Sequence, residues 1–172
     1  MTMTLRTMLA RRALVLGMAC YVTVAASPSV AQDIVLAPTK LWEGFSSPVG
    51  MSFDATGNLY VAEWGAGRIA RIDSAGKRTI FAEGLSGPSG LVVGADGLIY
   101  VASYSRDEIY RFTPKGIRSV YVTGLATPAG ISFDRAGRLL VANRRTNQIL
   151  AVTSNGRLEP VIEGLQIGRA HV

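Results

Sequence analysis

Chemically versatile side chains are scarce in this chain: its 172 residues include one cysteine, Cys20, and one histidine, His171. With neither Cys–Cys pairing nor a second thiol available, disulfide stapling and dithiol chemistry are excluded. Ser–His–Asp and Cys–His nucleophilic sets also need a positioned histidine, and the body of the chain offers none. Charge is sparse at 17% and aromatics stand at 8%, against 48% hydrophobic residues, which places the chain among globular proteins and away from disordered ones. Apolar residues at a sustained period of 3.6 are missing beyond the first 31 positions, so helical solenoids are disfavoured.

No apolar run is long enough to span a bilayer. The longest, Ala13 to Ala26, covers 14 residues, whereas a hydrocarbon core of ~30 Å needs about 20. Arg6, Arg11 and Arg12 precede it, and Pro28 and Ser29-Val30-Ala31 follow it. Residues 1–31 therefore read as a secretory signal peptide cut after Ala31, leaving no membrane span in the mature chain. Arg11-Arg12 loosely resembles a twin-arginine export signal. Cys20 lacks the upstream leucine of a lipoprotein signal and is expected to leave with the leader. The expected location is periplasmic or secreted.

The formal charge of +6 weakens under the same reading. Three of the 18 Lys and Arg residues fall in the leader, which leaves 15 against 12 acidic residues. The remaining basic residues are spread over the chain, an arrangement that does not suit nucleic acid. At the other end, Ile167-Gly168-Arg169-Ala170-His171-Val172 matches a translation of a common sequencing-adapter read (ATC GGA AGA GCA CAC GTC). Residues 167–172 are read as a tail derived from that adapter, so His171 is set aside.

What the chain has in plenty is repetition. Gly44-Phe45, Gly84-Leu85, Gly124-Leu125 and Gly164-Leu165 recur every 40 residues without insertion or deletion. Pro48/Pro88/Pro128, Gly50/Gly90/Gly130, Val61/Val101/Val141 and Ile69/Ile109/Ile149 keep the same phase. Within a unit, Pro48–Phe53 is predicted as a strand, Asp54-Ala55-Thr56-Gly57 as a turn and Asn58–Glu63 as a second strand. A loop at Trp64–Gly67 leads to a third strand, Arg68–Ile72, a turn at Asp73–Gly76, and a fourth strand, Lys77–Ala82. Four antiparallel strands per 40 residues make one propeller blade.

The predicted fold is thus an all-β propeller of four-stranded blades, with about three blades present of an expected six. The partial propeller covers residues 32–166, with an outer strand at 40–44 and blades at about 45–84, 85–124 and 125–164. Tyr60 and Tyr100 are expected to pack between blades and Trp64 to be exposed.

The segments Pro88-Ser89-Gly90-Leu91, Asp96-Gly97-Leu98-Ile99-Tyr100-Val101-Ala102, Ile109-Tyr110-Arg111-Phe112 and Gly116 resemble the NHL repeat, whose blades read P-x-G-[IL], D-G-x-[IL]-Y-V-[AT]-[DE], R-I, G. The chain is also similar to the calcium-dependent lactonase propellers of the gluconolactonase and senescence-marker family, and more distantly to virginiamycin B lyase. The lactonase resemblance implies calcium as cofactor, with an Asn or Asp before the Gly of P-x-G as ligand. This sequence has Val49, Ser89 and Ala129 there. The lyase resemblance implies W-F-T-E where Tyr60-Val61-Ala62-Glu63 stands, and a histidine.

In a blade, the loop before the first strand and the loop between the second and third share one face, at the mouth of the central channel. The second set of loops varies while its surroundings repeat, and recognition is usually placed on such loops. Glu63, Trp64, Tyr104, Arg106, Asn143, Arg144 and Arg145 are therefore the candidate ligand-binding residues. The expected partner is a small molecule, glycan or protein. The alternatives are a metal-dependent lactonase and a lyase. Asp54 and Asp134 sit on the opposite face and are expected to be turn formers.

Overall fold

A computed structural model of the chain describes residues 38–165, and the account below concerns the unit that begins at Leu41. The expected signal peptide and the adapter-like tail lie outside the described residues. The first blade comprises β1 (Pro48–Phe53), β2 (Leu59–Glu63), β3 (Arg68–Ile72) and β4 (Arg78–Ala82). The second comprises β5 (Pro88–Val93), β6 (Ile99–Ser103), β7 (Glu108–Phe112) and β8 (Arg118–Val122). The third comprises β9 (Pro128–Phe133), β10 (Leu139–Asn143), β11 (Gln148–Val152) and β12 (Leu158–Ile162). Each forms an antiparallel meander in sequence order. The sole helical element among the described residues is a 3₁₀ turn at Arg144–Thr146.

Strand bounds match the sequence reading to within one residue, because the turns are chemically marked. Asp54 accepts backbone N–H bonds from Thr56 and Asn58, each 2.9 Å, and Asp134 does the same for Ala136 and Arg138. Gly57 and Gly137 supply the positive φ that closes each turn. Burial acts to raise the Asp54 carboxyl, but hydrogen bonds from the side chains and backbone of Asn58 and Thr56 outweigh it and hold its pKa at about 2. Both aspartates are turn formers on the face opposite the mouth.

The second strand of each blade shows why residues of both parities are apolar there: β2 and β6 are buried at all five positions. Blades stack face to face, so a central strand meets a neighbour on each side. Tyr60, Ala62 and Ile69 of the first blade share a core with Leu91, Ile99, Val101 and Phe112 of the second. Tyr100, Ala102 and Ile109 repeat this against Leu139, Val141, Leu150 and Val152 of the third. Tyr60 and Tyr100 therefore pack between blades, as expected. Tyr60 meets Phe81 edge to face, with ring centres 4.9 Å apart, and Tyr100 meets Phe133 at 5.2 Å.

The glycine of P-x-G has a packing cause. A Cβ on Gly50 would lie 2.2 Å from the Ser89 carbonyl oxygen, and one on Gly90 would lie 2.4 Å from that of Ala129. The inner strands β1, β5 and β9 approach so closely that only glycine fits between them. The seam is also stitched by the Val93 N–H, which donates to Ser52 Oγ at 3.1 Å.

Two features differ from expectation. Residues 40–44 join none of the three sheets, although the matching segments of later repeats are outer strands. An outer strand needs a third strand beside it, and no described element offers one. Trp64 is half-buried, whereas Trp42 is 40% exposed. Among the described residues nothing covers the outward face of the first blade: Val49, Met51 and Phe53 are 56%, 70% and 62% exposed, while their counterparts Leu91 and Phe133 pack against a neighbouring blade. Among the described residues no helix is long and apolar enough to cross a membrane.

Candidate functional site

The mouth face is built from two loops per blade that bond to each other in the same way three times over. The Trp64, Tyr104 and Arg144 N–H groups donate to the Ser47, Gly87 and Thr127 carbonyls at 3.1, 3.0 and 3.2 Å. The first blade is tied to the second and the second to the third by the Leu85 and Leu125 N–H groups, which donate to the Gly67 and Asp107 carbonyls, and the Leu165 N–H makes the same bond to the Asn147 carbonyl. These bonds force positive φ at Ser47, Asp107, Thr127 and Asn147, the four non-glycine residues with that conformation among those described. A β-branched residue such as Thr127 at φ 50 is held there against its preference. The Asp107 carboxylate secures it by accepting the Thr127 N–H at 2.6 Å.

The seven predicted residues fall into three groups. Glu63 and Asn143 end fully buried strand positions, 0% and 3% exposed, and their polar atoms are committed. Asn143 Oδ1 accepts the Ala126 N–H at 2.6 Å, and its Nδ2 donates to Thr146 Oγ1 at 2.8 Å. Glu63 accepts the Ser46 N–H at 2.9 Å, the Arg68 guanidinium, and Arg78 Nη2 at 2.7 Å. Burial acts to raise the Glu63 carboxyl, but the bonds from Arg68, the Ser46 N–H and Arg78 more than offset it, so its pKa lies below the usual value. Ser103 takes the same place in the second blade and donates to the Ser86 carbonyl at 2.9 Å. Position 63/103/143 is thus a latch fastening the second strand to the loop before the first.

Arg106 and Arg145 form a second group, at the edge of the face. Arg106 borders a depression on the outer flank of the second blade with Glu108, Tyr110 and Arg118. Arg145 lies 3.5 Å from Asp107.

The third group, Trp64, Tyr104 and Arg144, is brought together at one repeat position across three blades. The Trp64 and Tyr104 rings meet edge to face with centres 4.9 Å apart. The Arg144 guanidinium donates to the Tyr104 hydroxyl and lies 5.9 Å from its ring centre. Gly87 makes room for the indole, since a Cβ there would sit 3.1 Å from it. Trp64 and Tyr104 wall an apolar depression of about 300 Å³ floored by the inner strands at Val49, Ser89, Gly90, Ala129 and Gly130.

A larger depression of about 730 Å³ opens at the other end, between the first turns of the second and third blades. Its carboxylates are already engaged: Asp96 accepts from the Leu98 N–H and the Tyr100 hydroxyl, and Asp134 from its own turn and Arg138.

The residues in the slot of the lactonase ligand do not fit a cation. Val49 and Ala129 carry no donor atom, and the Ser89 hydroxyl is turned away to the Pro128 and Ala102 carbonyls, at 3.0 and 3.3 Å. No cluster of three His, Cys, Asp or Glu side chains occurs among the described residues.

Sequence reasoning missed the latch and its partners Arg68 and Arg78. The available signal was that Glu63, Ser103 and Asn143 close strands whose every other position is apolar.

These blades define a β-propeller. No protein-family model and no curated protein matches the chain. Among solved structures it is similar to a gluconolactonase from Xanthomonas campestris, with a TM-score of 0.64 and 14% identity over 72% of this chain and 50% of that one. A streptogramin B lyase gives 0.62 and 21%, over 69% and 41%. A nidogen/laminin complex structure gives 0.60 and 26%, over 70% and 51%. The fold is thus that of an NHL and gluconolactonase-like propeller, and the chain spans about half or less of the length of these structures.

Proposed function

We propose that this chain belongs to an exported NHL-type propeller that binds a small molecule, glycan or protein at the channel mouth. The observation that carries the reading is the Trp64–Tyr104–Arg144 ladder beside an apolar floor: three different side chains at one repeat position, where the buried strands around them keep their pattern. Aromatic and arginine side chains beside an apolar hollow match the usual composition of a binding hot spot. Binding of a ligand identified by screening should weaken by more than about 1 kcal/mol in Trp64→Ala or Arg144→Ala. Asp73→Ala and Arg135→Ala, on the opposite turns, should leave it within error by calorimetry. If the turn variants matter and the ladder variants do not, the face is misassigned.

An enzymatic reading, as a metal-dependent lactonase or a lyase of the virginiamycin type, is supported by the fold of the neighbouring structures. It needs donor groups beyond those at Val49, Ser89 and Ala129.

Export rests on the basic start, the short apolar run and Ser29-Val30-Ala31. Mass spectrometry of the exported protein should find an N-terminus near Gln32. An uncleaved, membrane-retained chain would refute export by this route.

A further inference from the structure

We propose that the mouth site selects an amphipathic monoanion, a flat apolar body carrying one carboxylate or sulfonate. This deepens the binding reading above and rests on it. The hollow offers almost nothing polar to a ligand. Its floor is Val49, Ala129 and the inner-strand glycines, the Ser89 hydroxyl is committed to backbone carbonyls, and its walls are the Trp64 and Tyr104 rings. A sugar or a hydrated cation entering it would leave hydroxyls or water ligands without partners, at a cost of ~1–3 kcal/mol each. An aromatic or fused-ring body would instead cover apolar surface and stack on the rings.

Charge sets the other half of the ligand. Arg144 donates to the Tyr104 hydroxyl, and no carboxylate pairs with it among the described residues. The neighbouring cation, Arg145, has Asp107 opposite it, and Glu63 is neutralised by Arg68 and Arg78. The Arg144 guanidinium, bonded to the Tyr104 hydroxyl whose ring walls the apolar hollow, presents a planar fork matched to carboxylate or sulfonate oxygens. The ligand class therefore has a single negative group at the edge of a ring system.

The test is calorimetric titration of the full chain with 2-naphthoate and with 2-naphthalenemethanol, which has similar bulk and no charge. Naphthoate should bind about tenfold more tightly than the alcohol, the ratio expected of one charge-assisted contact of ~1.4 kcal/mol. Arg144→Gln should weaken naphthoate about tenfold, leave the alcohol unchanged, and melt with the parent because the side chain is exposed. Trp64→Ala should weaken both probes alike. Absence of naphthoate binding, equal affinity for the two probes, or indifference to Arg144→Gln overturns the ligand class. Should both probes bind but ignore Trp64→Ala, it is the mouth site itself that fails.

Discussion

Gly90→Ala is expected to cost about 3 kcal/mol or more of folding free energy, a large effect for one methyl group. The added Cβ would sit 2.4 Å from the Ala129 carbonyl oxygen and 2.8 Å from the Ile131 nitrogen. Both atoms are backbone, so no rotamer change relieves the clash, and the second and third blades would have to move apart. That motion opens the core where Tyr100, Ala102 and Ile109 meet Leu139, Val141 and Leu150. Gly50→Ala should behave alike, with 2.2 Å to the Ser89 carbonyl oxygen. Gly130→Ala should change stability by no more than about 0.5 kcal/mol, since the nearest atom to its Cβ is Ala142 Cβ at 3.9 Å. None of these three glycines has a positive φ, so backbone freedom is not the reason for them. Urea unfolding of the three variants measures the contrast. Equal costs at all three positions would show that the motif glycine acts within its own blade and not on the next. In a longer polypeptide with a further blade seated against β9, Gly130→Ala should become as costly as the other two.

That glycine illustrates what was legible in the sequence. The 40-residue phase of Pro88, Gly90, Val101 and Ile109 encodes the stacking of identical units, because each unit meets its neighbour through the same contacts. Turns were legible because Asp54, Asp134 and the glycines after them act within four residues. The mouth was harder, since its chemistry depends on contacts between side chains far apart in the chain. Glu63 was legible as the end of a strand and as a residue that varies between repeats, but not as one that reaches Arg78, 15 residues away. Asn143 likewise spends its side chain on the Ala126 N–H, 17 residues away, and on Thr146. Trp64 looked exposed because the sequence shows its loop and not Gly87 and Tyr104 of the next blade, which cover one side of the indole. Only Tyr104 and Arg144 joined Trp64 in one ladder, because these three alone share a repeat position on the exposed side of the latch.

The latch itself yields the second large effect. Glu63→Ala should destabilise the chain by about 2–4 kcal/mol. Removing one partner of a buried ion pair typically costs 3–5 kcal/mol, and the lower range here reflects Arg68 and Arg78 side chains that are 30% and 28% exposed and so keep some water. The loss spreads beyond the pair, because Arg78 also donates to the Gly44 carbonyl at 3.0 Å and stacks 4.1 Å from the centre of the Phe45 ring. Glu63→Gln separates charge from shape: it keeps the bulk and one acceptor oxygen but not the ionic bonds. The carboxyl is held below its usual value of 4.5 in the folded chain. Its ionised form therefore favours folding above the unfolded pKa, and that contribution disappears as pH falls through the folded pKa. The stability gap between parent and Glu63→Gln should be full at neutral pH and close progressively in acid, below about pH 4. Asp54 and Asp134 also lose stabilising bonds in acid, but they are common to both chains and cancel in the difference. Denaturant unfolding of the two proteins at a series of pH values measures the gap. The absence of a gap at neutral pH would mean that Glu63 contributes through its shape and its bond from the Ser46 N–H, not through its charge.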